Sequence, residues 1–323
     1  MKLTESEVLG LASAEGFDPG TLEKVILLIN LLNMFVSHPY LKDKWILKGG
    51  TALNLFLLNL PRLSVDIDLN YVGALDREEM LAQRPKVEQA MQAVFSREGT
   101  TIRRVPTDHA GGKWRLLYQS VNGRSGNLEV DMNFMFRQPL WEPKLIDSVQ
   151  IGRHIARSIP TLDVHELAAG KLAALLARAQ VRDLFDCQQI FRHGKLDPEL
   201  LRVGFVVYGG MNRVDWRNVS IEDVGFEPED LTKNLIPTLR PSVLPIGFSS
   251  EKYGQDLIEQ CRQNLNSVLP LKENELRFLS LLLDEGQIDG SLLTDDKGLL
   301  SRIESQPLLR WKALNVRQLH GLE

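Results

Sequence analysis

Only two cysteines, Cys187 and Cys261, occur in 323 residues, so the chain has no disulfide framework and fits a reducing, cytoplasmic setting. The first residues, Met-Lys-Leu-Thr-Glu-Ser-Glu, lack the apolar core of a signal segment. The longest apolar run, Val25–Val36, is too short to span a bilayer, and a soluble intracellular protein is expected. Excess positive charge is missing too: 38 basic against 42 acidic residues give a net charge of −4, so the chain as a whole is no basic nucleic-acid binder. Repeats and low-complexity segments are absent. What remains is ordinary globular composition, 43% hydrophobic and 25% charged, over a length that favours two domains.

The informative stretch is 46–71. Gly49 and Gly50 lack a Cβ, so their backbone N–H groups can approach a phosphate closely. The apolar run Thr51–Leu60 predicts a helix starting at that turn, with free N–H groups and a dipole that favour an anion at its start. Asp66 and Asp68 then alternate with Val65, Ile67 and Leu69, which on a strand puts both carboxylates on one face. Paired hard oxygen ligands suit Mg²⁺ when its other ligands are water and substrate phosphates. The chain is therefore expected to handle a nucleoside triphosphate.

Other elements follow from periodicity. Helices are predicted at 20–37, at Arg77–Arg97, from Asp163-Val-His-Glu166 (a capping-box pattern) to Arg178, at Arg182–His193, at Tyr253–Leu265 and at Glu273–Leu283. Strands are predicted at Trp45–Leu47, Thr101–Val105, Lys113–Val121 and Asn127–Phe136, with a hairpin turn at Asn122-Gly123 and a further strand at Val203–Tyr208. On Asn127–Phe136, Glu129, Asp131 and Asn133 take the face opposite Leu128, Val130, Met132, Phe134 and Phe136. Two-metal phosphoryl transfer wants a third carboxylate on a neighbouring strand, and Asp131 has that character, brought close by a hairpin. Between 100 and 125, Arg103, Arg104, Lys113, Arg115 and Arg124 face the single acid Asp108: a basic patch for a phosphate backbone, or a solvated hairpin surface. Arg62 is a candidate phosphate fork; Ser64 could bond a phosphate or merely keep the site small and polar. His154, His165 and His193 have no cysteine partners at zinc spacing, and Trp114, Tyr118 and Trp141 read as packing residues.

The ordered set Gly49-Gly50-Thr51-Ala-Leu, Arg62-Leu-Ser64-Val-Asp66-Ile-Asp68-Leu, Lys171-Leu-Ala-Ala-Leu-Leu-Ala-Arg178 and Arg182-Asp183-Leu-Phe-Asp186 resembles the AbiEii/AbiGii toxin family. The tail Gln306-Pro-Leu-Leu-Arg-Trp-Lys312-Ala-Leu-Asn-Val316 extends the similarity from about residue 20 to the end. These are nucleotidyltransferases of the DNA polymerase β superfamily, the toxins of type IV toxin–antitoxin and abortive-infection systems. The resemblance implies an α/β (α+β) polymerase β-like minimal nucleotidyltransferase domain over 1–195 and a mostly helical C-terminal domain over 196–323. It implies that Gly49, Gly50 and Thr51 contact the triphosphate and that Asp66 and Asp68 hold Mg²⁺ (or Mn²⁺), with Asp131 as third carboxylate. Lys171 matches a lysine that reaches the nucleotide phosphates, and Asp186 the acid of the last motif. Asp183 shares the Asp186 helix face and is equally a helix-start capping or dipole partner; with Arg178 and Arg182 the pair could form a surface ion-pair ladder.

On that template the expected function is a Mg²⁺-dependent nucleotidyltransferase toxin moving a nucleoside monophosphate from an NTP to the tRNA 3′ end, blocking translation, with an AbiEi-like antitoxin as partner and no membrane role. The alternatives are a protein or small-molecule acceptor, and a GTP- or NTP-binding module acting by partner contacts.

Overall fold

A computed structural model describes residues 3–106 and 110–321. The contacts gather into two compact units: Met1–Arg137 with Pro143–Leu162 and Ile236–Ile246, and Gln138–Glu142 with Asp163–Leu235 and Gly247–Glu323. The helices of 163–193 thus group with the C-terminal residues, where the sequence reading put a boundary at 195/196.

In the first unit, α1 (Glu5–Glu15) is capped by the Thr4 hydroxyl and closes on Gly16, and α2 (Pro19–Ser37) by Asp18 with Pro19 leading. Leu22, Val25, Ile26, Ile29, Leu32 and Phe35 of α2 are buried. Among the described residues α2 is the one helix long and apolar enough, by length and composition, to cross a membrane, but half of it is buried inside the protein, as a core helix would be. Next come β1 (Trp45–Lys48) and α3 (Gly49–Thr51), which widens at once into a π-helical turn over Ala52–Leu57. The predicted helix to Leu60 thus ends early: Leu58 donates to the Leu53 carbonyl, and Leu60 takes φ +51°. Then follow β2 (Asp66–Tyr71), α4 (Arg77–Arg97, capped by Asp76), β3 (Thr101–Arg104), β4 (Gly111–Gln119), β5 (Ser125–Asn133), β6 (Lys144–Ile146) and β7 (Ile159–Thr161). The Asn122-Gly123 turn is present, with Gly123 at φ +80°.

Among the described residues, seven strands form one mixed sheet in the order β3-β4-β5-β2-β1-β7-β6. The expected α/β architecture is therefore observed. The hairpin partner of β5 is β4; β2 and β5 are parallel neighbours, as a crossover through α4 permits. The rings of Phe35, Trp45, Phe95 and Trp114 pack in a chain at centroid distances of 5.9–6.2 Å. Trp114 packs as anticipated, and fully buried rings of this size each contribute on the order of 2–3 kcal/mol.

Among the described residues, the long elements of the second unit are helices: α5 (Val164–Arg178), α6 (Val181–His193), α7 (Pro198–Gly210), a short α8 (Pro228–Asp230), α9 (Ser250–Leu265), α10 (Glu273–Ser280), α11 (Lys297–Ser305) and α12 (Pro307–His320). The predicted strand Val203–Tyr208 lies inside α7. Asp197 caps that helix and Pro198 opens it, while Phe205, Val206 and Val207 are buried on consecutive faces, so the apolar run carried no helical period. The capping box on α5 is not formed either. Asp163 accepts from His165 N, and Glu166 turns inward to accept from Leu140 N at 3.0 Å and Tyr208 Oη at 2.9 Å. Deep burial, opposed by these donors, pushes the Glu166 carboxyl up to about 7.

Candidate active site

The polar face of the sheet gathers the acids. Register pairs Asp68 with Asp131 across β2 and β5, Lys48 with Asp68 across β1 and β2, and Lys113 with Asp131 across β4 and β5. Directly opposed residues share a face, so Lys48, Asp68, Asp131 and Lys113 form one row over four strands. Asp66 and Glu129 form the next row, and Glu129 binds Lys113 at 3.0 Å and Arg115 at 2.8 Å. Those two cations of the basic stretch are thus tied to the acid face, while Arg103 and Arg104 are exposed on β3.

The electrostatics follow from this crowding. Burial, reinforced by the charges of Asp68 and Glu129, pushes the Asp131 carboxyl above its usual range, against the pull of Lys48 and Lys113. Lys48 is half-buried at the last position of β1. Its burial lowers the ammonium below its ordinary value, opposed by Asp68 and Asp131. Lys113 loses some affinity for its proton to burial, but its hydrogen bond and charge contact with Glu129 leave it raised. Sequence reasoning missed Lys48, stopping the strand at Leu47, although it directly precedes the Gly-Gly turn.

That turn closes one end of the row. Gly49 has φ +75°, and a Cβ there would collide with the Asp68 carboxylate. At Gly50 a Cβ would lie 2.9 Å from both an Arg62 Nη and the Ser64 Oγ, so these two candidates stand against the turn. Ser64 precedes β2 instead of lying on it. Arg62 is buried and donates to the Leu63 carbonyl at 3.0 Å. Thr51 directs its hydroxyl to the Asp66 carbonyl at 2.5 Å, tying the helix start to β2. Asn54, which sequence reasoning did not single out, donates to the Gly50 carbonyl at 2.9 Å from inside the π-helical turn. A polar residue in an apolar run was the available signal.

Lys171, Asp183 and Asp186 lie together in the second unit. A left-handed residue, Ala179 at φ +49°, turns α5 back into α6. Lys171 then meets Asp183 at 3.0 Å and Asp186 at 2.7 Å, and Arg178 meets Asp183 at 2.7 Å. Both carboxylates are buried, so the surface ion-pair ladder is not what forms, and Asp183 spends its oxygens on cations, not on a helix cap. Among the described residues no group of three or more His, Cys, Asp or Glu side chains could hold a metal ion.

Residues 30–245 match the model of the AbiEii family, nucleotidyl transferase toxins of type IV toxin–antitoxin systems. The chain belongs to that family. It is a nucleotidyltransferase, and membership implies an NTP substrate and an antitoxin partner. Among solved structures it is similar to MenT4, the nucleotidyltransferase toxin Rv2826c from Mycobacterium tuberculosis H37Rv, with a TM-score of 0.58 and 18% identity over 100% of both chains. At that identity the likeness concerns the fold. A search of curated proteins returns no match.

Proposed function

We propose that the acid row is the centre of a Mg²⁺-dependent transfer of a nucleoside monophosphate from an NTP to the 3′ end of tRNA. The observation that carries this reading is the register of Asp68 with Asp131 on adjacent parallel strands, beside Asp66 and against the Gly49–Gly50 turn. The donor set suits the metal. Its oxygens are hard, and two crowded carboxylates, one with a raised proton affinity, gain from a shared divalent cation.

When bound, Mg²⁺ supplies positive charge to the phosphoryl group in flight and acidifies the attacking hydroxyl. Asp66 and Asp68 are assigned to hold it (Mn²⁺ would serve alike). Asp131, whose carboxyl burial pushes above its usual range, is assigned to the acceptor hydroxyl. Gly49 and Gly50 offer backbone N–H groups to the triphosphate, with Arg62 and Ser64 beside them as charge and hydrogen-bond donors. Thr51 contributes through its backbone, because its hydroxyl is engaged by Asp66. Lys171 as a phosphate cation, with Asp183 and Asp186 as its anchors, enters on the family resemblance. A tRNA acceptor is supported by the same resemblance and by exposed Arg103 and Arg104, which suit a phosphate backbone.

Intact-mass measurement of tRNA after incubation with each NTP separately tests this. The expected result is a mass increase by whole nucleotides at the 3′ end with at least one NTP, reduced in a salt-sensitive way by Arg103→Glu with Arg104→Glu. No mass change with any NTP overturns the tRNA acceptor.

A further inference from the structure

Lys48, Asp68, Asp131 and Lys113 run in one row, with a cation at each end and two carboxylates between. Adjacent strands stand about 4.8 Å apart, so the two acids repel and the flanking cations offset that repulsion. The flanking lysines differ. Lys113 is half-exposed and is held by Glu129 at 3.0 Å. Lys48 is set deeper, with its ammonium over the Phe136 ring at 5.2 Å from the centroid, and the charges of Asp68 and Asp131 both act on it. Lys48 also directly precedes Gly49, whose missing Cβ makes room for the Asp68 carboxylate. Its flexible four-carbon stem lets the ammonium shift between those carboxylates and an anion at the turn.

We propose that Lys48 is the resident counter-cation of the Asp68–Asp131 pair and couples metal binding to triphosphate binding. In the ligand-free protein its charge offsets the repulsion between the two carboxylates and holds them in place, and it opposes a divalent cation arriving alone. A triphosphate at the Gly49–Gly50 turn supplies oxygens that take over the lysine, and the opposition to the metal is relieved. Lys48 is thus a positioning residue, acting through the acids and the donor phosphates. This rests on the metal reading above and goes beyond it by making the order of loading a property of one side chain.

Mn²⁺ binding followed by electron paramagnetic resonance, with and without a non-hydrolysable NTP analogue, tests the proposal without any turnover. In the wild-type chain the analogue should raise Mn²⁺ affinity strongly. Lys48→Met, which keeps bulk and the contact with Phe136, should bind Mn²⁺ alone about tenfold more tightly than wild type and show a smaller gain from the analogue. Lys48→Arg should behave like wild type. Unchanged or weaker Mn²⁺ binding by a Lys48→Met protein that melts normally overturns the proposal, as does a wild-type chain whose Mn²⁺ affinity ignores the analogue; the second result stands even if the variant fails to fold. Asp68→Asn separates the readings: Mn²⁺ binding that Asp68→Asn does not weaken overturns the metal assignment itself, whereas binding lost in Asp68→Asn but indifferent to Lys48→Met overturns only the role of the lysine.

Discussion

In the sheet, Asp68 and Asp131 are neighbours of like charge; on the α5–α6 turn, Lys171 meets Asp183 and Asp186 at 3.0 and 2.7 Å. The first arrangement sets two carboxylates side by side on a polar face with lysines at either end, and burial with the neighbouring acids raises the proton affinity of Asp131. The second balances its charges at contact distance, where removing one partner strands the others in a buried setting. The difference teaches where each cluster spends its free energy. The sheet row is poised for a cationic ligand at some cost to the ligand-free protein, while the helical cluster is complete by itself and fixes Lys171.

The largest expected effect breaks the comparison at the sheet. Asp68→Asn should lower nucleotide transfer by about a thousandfold while leaving the melting temperature unchanged or higher, because it removes both a metal ligand and a repulsive charge. A parallel loss of melting temperature would mean that the row is structural. The helical cluster should respond in the opposite way: Asp186→Ala should cost about 3 kcal/mol of stability in denaturant titration, since it leaves Lys171 short of a partner.

Glu166 sharpens the contrast within the second unit, because it is a buried carboxyl surrounded by neutral donors. Its pKa is raised from 4.5 to about 7, so between those values the folded protein keeps a proton that the unfolded chain loses. Stability from this group is full below pH 4.5, falls as pH rises through that window, and flattens above pH 7, a total of about 3 kcal/mol. Glu166→Gln can retain the bonds to Leu140 N and Tyr208 and should flatten that part of the stability–pH curve. The smallest effect is at the turn. Gly49→Ala should cost about 1–2 kcal/mol from its positive φ, and more if the new Cβ displaces Asp68, which would show as a loss of transfer beyond the loss of stability.

Much of this arrangement was legible in the residues. Two aspartates alternating with Val, Ile and Leu fixed the face of β2, and the alternation Leu128–Phe134 fixed that of β5, so Asp131 could be chosen before any pairing was known. The helix Arg77–Arg97 was equally plain, since its apolar positions keep a helical period; the structure adds Asp76 as its cap. Lys48 escaped because a strand-ending lysine looks like any solvated residue until its register partner is known. The strands β6 and β7 are three residues each, too short for alternation to register. Val203–Tyr208 was misread because a helix buried on several faces loses its polar stripe. Glu166 sat at a capping position and was taken for a cap; only the fold shows that Leu140 and Tyr208 claim it.

The central claim, that the sheet carboxylates carry out nucleotide transfer, is tested most directly by label transfer from α-phosphate-labelled NTPs to total tRNA, comparing the wild-type chain with Asp131→Asn. The account predicts labelled tRNA with the wild type and none above background with Asp131→Asn at an unchanged melting temperature. Transfer at the wild-type rate by a folded Asp131→Asn protein would contradict it.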